Sequence, residues 1–168
     1  MSKSKRFARA GVIAGLYATM SLVAFPISSG AVQVRLSESL TLLALVYFEA
    51  VPALAVGCVL SNLITGCAPW DIVLGSCITL LSAFLTFAVG KLVKATLLKI
   101  IIGGFFPVIL NATLLPLIWI MCYGNLEYMY AVQFLLLFIG QGLSVYALGT
   151  PLYIQVEKFK NKKIKFLE

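Results

Sequence analysis

Residues 37–63 read SESLTLLALVYFEAVPALAVGCVLSNL, and the number of membrane passes in this stretch decides the fold. As a single tilted span it would bury Glu49 near the middle of the bilayer. A carboxylate in hydrocarbon is costly, and a proline such as Pro52 resists a helix interior. Two short helices meeting at Glu49–Pro52 bring the carboxylate to an interface instead. The stretch is therefore read as two short spans, and the rest of the chain is counted from there.

N-terminal to it, a first helix is expected from Ala8 to Ser28. Pro26 and Ser28-Ser29-Gly30 break it, and the loosely alternating segment Ala31–Leu36 follows as a non-helical excursion carrying Gln33 and Arg35. The basic start, Met1 to Arg9, superficially resembles a leader. Its apolar run is long and no small-x-small site ends it, so it is read as a retained helix. C-terminal to the stretch, a turn at Thr65-Gly66-Cys67-Ala68-Pro69 leads into a fourth span from about Trp70 to Leu92. A fifth runs from about Ile100 to Met121. After the polar patch Tyr123–Glu127, a sixth runs from Tyr128 to about Leu152. The expected architecture is all-α: a membrane bundle of six transmembrane helices, the second and third short, over residues 1–157, with a basic cytoplasmic tail over 158–168.

Composition and charge agree with this. Hydrophobic residues make up 61% of the 168 and charged residues 11%, against roughly 45–50% and about 25% in soluble domains. The net charge of +7 is concentrated at the ends. Lys3, Lys5, Arg6 and Arg9 lie at one, and Lys158, Lys160, Lys162, Lys163 and Lys165 at the other; between them stand only Arg35, Lys91, Lys94 and Lys99. Clusters flanking apolar segments point to cytoplasmic anchoring rather than nucleic-acid binding. Two basic ends inside require an even number of spans. Six also place the Lys91–Lys99 loop inside and leave the outer loops without lysine.

The chemistry available is narrow. The chain has no histidine, and Cys58, Cys67, Cys77 and Cys122 form no Cys-x-x-Cys pair. Haem, His-rich metal sites and His-based acid-base catalysis are excluded, and the cysteines read as small apolar fillers. No phosphate loop is present. Glu38 and Asp71 make no recognised catalytic pair, so no enzyme is expected. No carbonyl-filter motif or acidic ring marks a channel, and no internal duplication marks a self-contained transporter.

What remains is a set of polar residues in or beside the spans. Arg35, Glu38, Asn62, Trp70, Asp71, Asn125 and Glu127 fall toward the outer face, and Asn111, Gln141, Ser144 and Tyr146 lie within spans. Polar groups at such depth usually face a bundle interior or a cavity, so an outward-opening pocket for a small planar polar solute is expected. Plainer roles stand beside this one. Arg35 and Glu38 pair as ions, Asp71 caps the fourth helix, Trp70 sits in the aromatic belt, Asn62 and Asn111 pin helices together, and Glu127 is an exposed loop charge. On the first helix, Ala10, Ala14 and Ala18 fall on one face, with Gly11 and Gly15 one position along, a smooth stripe suited to close helix contact.

Five blocks carry a likeness. They are Ala31–Thr41 (AVQVRLSESLT), Gly57–Leu63 (GCVLSNL), Trp70–Ser76 (WDIVLGS), Pro107–Asn111, and Ser144–Leu152 (SVYALGTPL). Together they resemble the QueT family, the substrate-binding (S) components of energy-coupling factor transporters, over about residues 14–153. The resemblance implies six helices with short second and third spans in a bacterial plasma membrane, both termini cytoplasmic. It implies capture of a queuosine precursor (preQ1, preQ0 or queuine, all 7-deazaguanines) outside the cell. Its partners would be a transmembrane coupling subunit and two cytoplasmic ATPases. ATP is used by those partners, with no cofactor in this chain, and the S component topples to carry its pocket inward. The Ala10, Ala14, Ala18 stripe then becomes the docking face for the coupling subunit. Arg35, Glu38 and Asn62 line or shape the pocket. Glu38 and Asp71 accept protons from a guanine-like edge or an aminomethyl group. Asn62 and Asn111 satisfy ring carbonyl and amide nitrogens, and Trp70 or Tyr146 stacks on the base. In one place the chain departs from the family pattern, with Gln141 in the last helix where a glutamate often stands. The rival readings are an S component for another vitamin or nucleobase-like solute, and a membrane scaffold that transports nothing.

Overall fold

A computed structural model describes residues 3–28, 33–124, 126 and 128–165. Met1-Ser2, Ser29-Gly30, Ala31-Val32, Asn125 and Glu127 lie outside the described residues, as do residues 166–168 and the side chains of Asn161, Lys163, Ile164 and Lys165. Among the described residues all regular structure is helical, arranged as six rods. The first is α1 (Lys3–Val23), which the short turn α2 (Phe25–Ser28) continues around Pro26. The second is a 3₁₀ segment (Leu36–Leu45) and the third α3 (Ala50–Ile64). A π turn (Asp71–Gly75) runs into α4 (Ser76–Leu92) as the fourth, and α5 (Thr96–Tyr123) is the fifth. The sixth is continuous: α6 (Tyr130–Gly142), a second π segment (Leu143–Gly149) and α7 (Thr150–Lys165). Residues 158–165, expected as a tail, thus extend the last helix.

Three rods are long and apolar enough to cross a membrane: Asp71–Leu92, Thr96–Tyr123 and Tyr130–Lys160. At 1.5 Å per residue each reaches or exceeds the hydrocarbon thickness of about 30 Å. Large apolar side chains such as Leu80, Phe84, Ile101 and Leu135 are exposed along them, as lipid-facing surface requires. The 3₁₀ segment and α3 are apolar but shorter.

The 3₁₀ segment is the centre of the molecule. A 3₁₀ run of ten residues is uncommon, and leucine on every side of this one calls for burial all round. Every residue from Ser37 to Leu45 is buried. Glycines on the surrounding helices let its backbone in. A Cβ on Gly90 would lie 2.8 Å from Leu45 Cα, one on Gly103 2.7 Å from Leu45 Cδ2, and one on Gly149 2.7 Å from the Ser39 carbonyl oxygen.

Two other contacts fix the frame. Pro107 has no N–H to give the Gly103 carbonyl four residues back; Thr86 Oγ1 of α4 donates to that carbonyl at 2.8 Å and ties α4 to α5. At the turn between the second and third rods, Glu49 accepts from Arg9 Nη1 at 2.9 Å, and the Arg9 guanidinium lies 3.8 Å from the Tyr47 ring centroid. Lys160 Nζ approaches the same ring at 5.9 Å, and Lys91 Nζ approaches the Phe87 ring at 5.4 Å. One end of the bundle therefore gathers cations from the first, fourth and last rods around the Tyr47–Glu49 turn.

Candidate functional site

A cavity of about 350 Å³ opens at the opposite end of the bundle. It lies near the low end of the usual range for ligand pockets. Tyr17 and Ser21 of α1 and Phe25 of α2 form one wall; Ser21 is twelve residues, or about 18 Å, along the chain from Arg9. Gln33, Arg35 and Ser37, on the strap that enters the 3₁₀ segment, form a second. Cys58, Ser61 and Asn62 of α3, with Thr65, Cys67, Asp71 and Gly75 of the segment that follows it, make the third, and Leu115 and Trp119 of α5 close the fourth.

Asp71 organises the outer part. Its Oδ1 accepts from Trp119 Nε1 at 3.1 Å and its Oδ2 from the Tyr123 hydroxyl at 2.8 Å. Trp119 and Tyr123 are four residues apart and so share a face of α5, which is how one carboxylate holds both. The Asp71 peptide carbonyl accepts from Asn62 Nδ2 at 3.2 Å. That bond fixes which way the Asn62 amide points: its nitrogen faces the turn, leaving its carbonyl oxygen as an acceptor. The π turn at Asp71–Gly75 widens the helix where these groups converge, a placement common at functional sites.

Arg35 supplies the cation. Its Nη2 reaches Gln33 Oε1 at 3.4 Å, and it makes no ion pair with Glu38. Glu38 is completely buried and takes two hydroxyls instead, Tyr17 at 2.6 Å on Oε1 and Thr41 Oγ1 at 3.1 Å on Oε2. Two such donors are what a buried carboxylate requires. Glu38 thus stands behind Tyr17 and fixes a wall residue. Ser21 Oγ and Ser37 Oγ, 2.8 Å apart, pin the strap to α1 beside it.

The structure therefore brings Arg35, Asn62 and Asp71 together on one cavity, with Glu38 one side chain removed. Trp70 is 58% exposed and outside the cavity; the indole that lines it is Trp119. Tyr146 is also elsewhere. Its hydroxyl donates to the Ile101 carbonyl at 2.8 Å, and its ring packs over Gly104, toward the α5 start. Asn111 and Gln141 are buried in the bundle and do not line the cavity. The spacing Trp119-x-x-x-Tyr123, at the same end of its span as Asp71, was the available signal for the indole. Tyr17 had only its position on the buried face of α1.

The alanine stripe faces inward within this chain. Ala14 and Ala18 are buried and Ala10 half-buried, because α1 packs this face on α3. A Cβ at Gly57 of α3 would lie 2.8 Å from the Ala14 carbonyl oxygen and 2.7 Å from Tyr17 Cβ. In this chain that face meets α3. The exposed small residues are Gly11 and Gly15, with nothing within 4 Å of a Cβ built on either.

Chemically the cavity offers a guanidinium, a carboxylate, an amide acceptor and an indole, a combination suited to a compact solute with several hydrogen-bonding edges and an aromatic face. Residues 7–158 match the model of a family described as QueT transporter. No curated protein and no solved structure matches the chain.

Proposed function

Since this chain belongs to the QueT transporter family, and with it to transport linked to queuosine precursors, we propose that it is the solute-binding S component of an energy-coupling factor importer. It takes up a 7-deazaguanine such as preQ1, preQ0 or queuine in the Arg35–Asn62–Asp71–Trp119 cavity. The single observation that carries this reading is the cavity itself, polar on three sides and set at the end of the bundle away from Arg9, Lys91 and Lys160. Trp119 is the stacking platform, Asp71 and the Asn62 carbonyl accept from the pyrrole N–H and from donors on the 7-substituent, and Arg35 donates to a ring nitrogen. The chain carries out no chemistry on the solute.

The topology follows from the positive-inside rule. Arg9, Lys91 and Lys160 face the cytoplasm, the six rods cross the membrane with both termini inside, and the cavity faces out. A coupling subunit and two ATPases supply the driving force, and ATP is spent by them. The exposed face of α1 around Gly11 and Gly15 is the surface on which the coupling subunit packs, since small residues let helix backbones approach closely.

Uptake and binding separate this mechanism. Gly15→Trp is expected to abolish uptake of radiolabelled queuine in cells expressing the whole transporter, while the purified variant binds it as wild type does. Ala14→Trp, aimed into the α3 contact, should instead lower the melting temperature. Normal uptake by Gly15→Trp would remove the docking assignment. Failure of the purified chain to bind any 7-deazaguanine would remove the function.

A further inference from the structure

Beneath the cavity lies an unpaired polar layer. Gln141 is completely buried, and neither its Nε2 nor its Oε1 has a hydrogen-bond partner; the Oδ1 of buried Asn111 has none either. Buried amides are otherwise almost always paired, and leaving one unpaired is costly.

These groups sit level with one another. Helices α5 and α6 run antiparallel. Leu115 and Leu137 share one core cluster, and a Cβ on Gly104 would touch Tyr146. Asn111 lies four residues before Leu115 and Gln141 four after Leu137, so the two amides fall in one layer a helical turn, about 5.4 Å, below the leucines. Leu115 is also a cavity wall, so the amide layer lies one helical turn from the cavity lining. The strap lies alongside: a Cβ on Gly140 would be 2.7 Å from the Gln33 carbonyl oxygen. Directly after Gln141 the helix widens into the π segment Leu143–Gly149, a distortion frequent at functional sites.

The hydrogen-bonding pattern is legible. Asn111 Nδ2 donates to the Pro107 carbonyl at 2.8 Å. A carbonyl accepts only, so the amide orientation is fixed and Oδ1 is the unpaired atom. Gln141 offers one donor and one acceptor. The layer therefore presents donor, acceptor, acceptor. Its complement is an edge with a carbonyl, a ring N–H and an exocyclic amine.

We propose that Gln141 and Asn111 are the reading end of the solute site, taking the carbonyl, ring N–H and 2-amino edge of an aminolactam heterocycle when Leu115 turns aside. This inference rests on the function proposed above and specifies which face of the ring is recognised.

The test is equilibrium binding of three rings to the purified full-length chain in nanodiscs. They are 7-deazaguanine, its 2,4-diaminopyrrolopyrimidine analogue (no lactam) and 7-deazahypoxanthine (no 2-amino group). Wild type is expected to prefer 7-deazaguanine to each by about 10- to 100-fold, the effect of leaving a buried partner unpaired. Gln141→Leu should erase the preference over the diamino ring and melt no lower than wild type, because it removes an unpaired amide. Asn111→Val should erase the preference over 7-deazahypoxanthine. Wild-type discrimination that persists in both variants overturns the inference and leaves the proposed function standing, the amides then being structural or water-bound. Absence of binding of all three rings to the folded wild type overturns both.

Discussion

Asp71→Ala is expected to weaken solute binding by about 10- to 150-fold while the protein stays folded. The range corresponds to about 1.5–3 kcal/mol for one hydrogen bond to a charged group. The carboxylate holds Trp119 and Tyr123 at once, so its removal frees the stacking indole as well as deleting an acceptor. Both aromatic partners lie at the end of α5 rather than in its core, which is why the fold survives. Asp71→Asn keeps one acceptor oxygen and should fall between the two. Isothermal titration of the purified variants, beside their circular dichroism, measures this. An Asp71→Ala protein that binds as wild type does would remove Asp71 from the site.

The largest effect on stability is expected at Gly90. A valine there would place its Cβ 2.8 Å from Leu45 Cα and 2.9 Å from the Leu45 carbonyl carbon. The opposing atoms are backbone of the most buried segment in the molecule, so no side-chain rotation relieves the clash. Gly103 meets the same leucine from α5, which blocks a shift in that direction. Gly90→Val should destabilise by about 3 kcal/mol or more, the upper end for overpacking, and be recovered mainly as aggregate on size exclusion. Gly15→Ala is the control. With nothing within 4 Å of its Cβ and helical backbone, it should be neutral or stabilise by up to about 1 kcal/mol. A Gly90→Val protein with wild-type melting would mean that the 3₁₀ segment is not seated against α4.

The six rods were legible because each is an apolar run ended by local signals, and because Glu49 and Pro52 mark a turn within one long apolar stretch. The outcome at Glu49 is specific: the carboxylate sits at a turn and meets Arg9, a partner forty residues away that the charge pattern alone did not single out. The cavity was legible only as far as polarity goes. Arg35, Asn62 and Asp71 stood out as polar residues near one end of their spans, and they do line one cavity. The choice between Trp70 and Trp119 depends on which side of two neighbouring helices faces inward, and that is set by packing. The inward turn of the first-helix stripe has the same cause. Alanines at 10, 14 and 18 and glycines at 11 and 15 are equally regular at helical spacing, and the notch at Gly57 that receives the alanine side belongs to another helix. The 3₁₀ geometry of residues 36–45 has no local signature at all, since it depends on glycines from three later segments.

The central claim is that a 7-deazaguanine binds against Trp119. The chain has two tryptophans, so Trp70→Phe leaves Trp119 as the sole indole reporter. Fluorescence titration of that variant with queuine is expected to give saturable quenching, which Asp71→Ala weakens in parallel with affinity. Saturable binding by calorimetry with unchanged Trp119 emission, or no binding by the folded protein, would contradict the account.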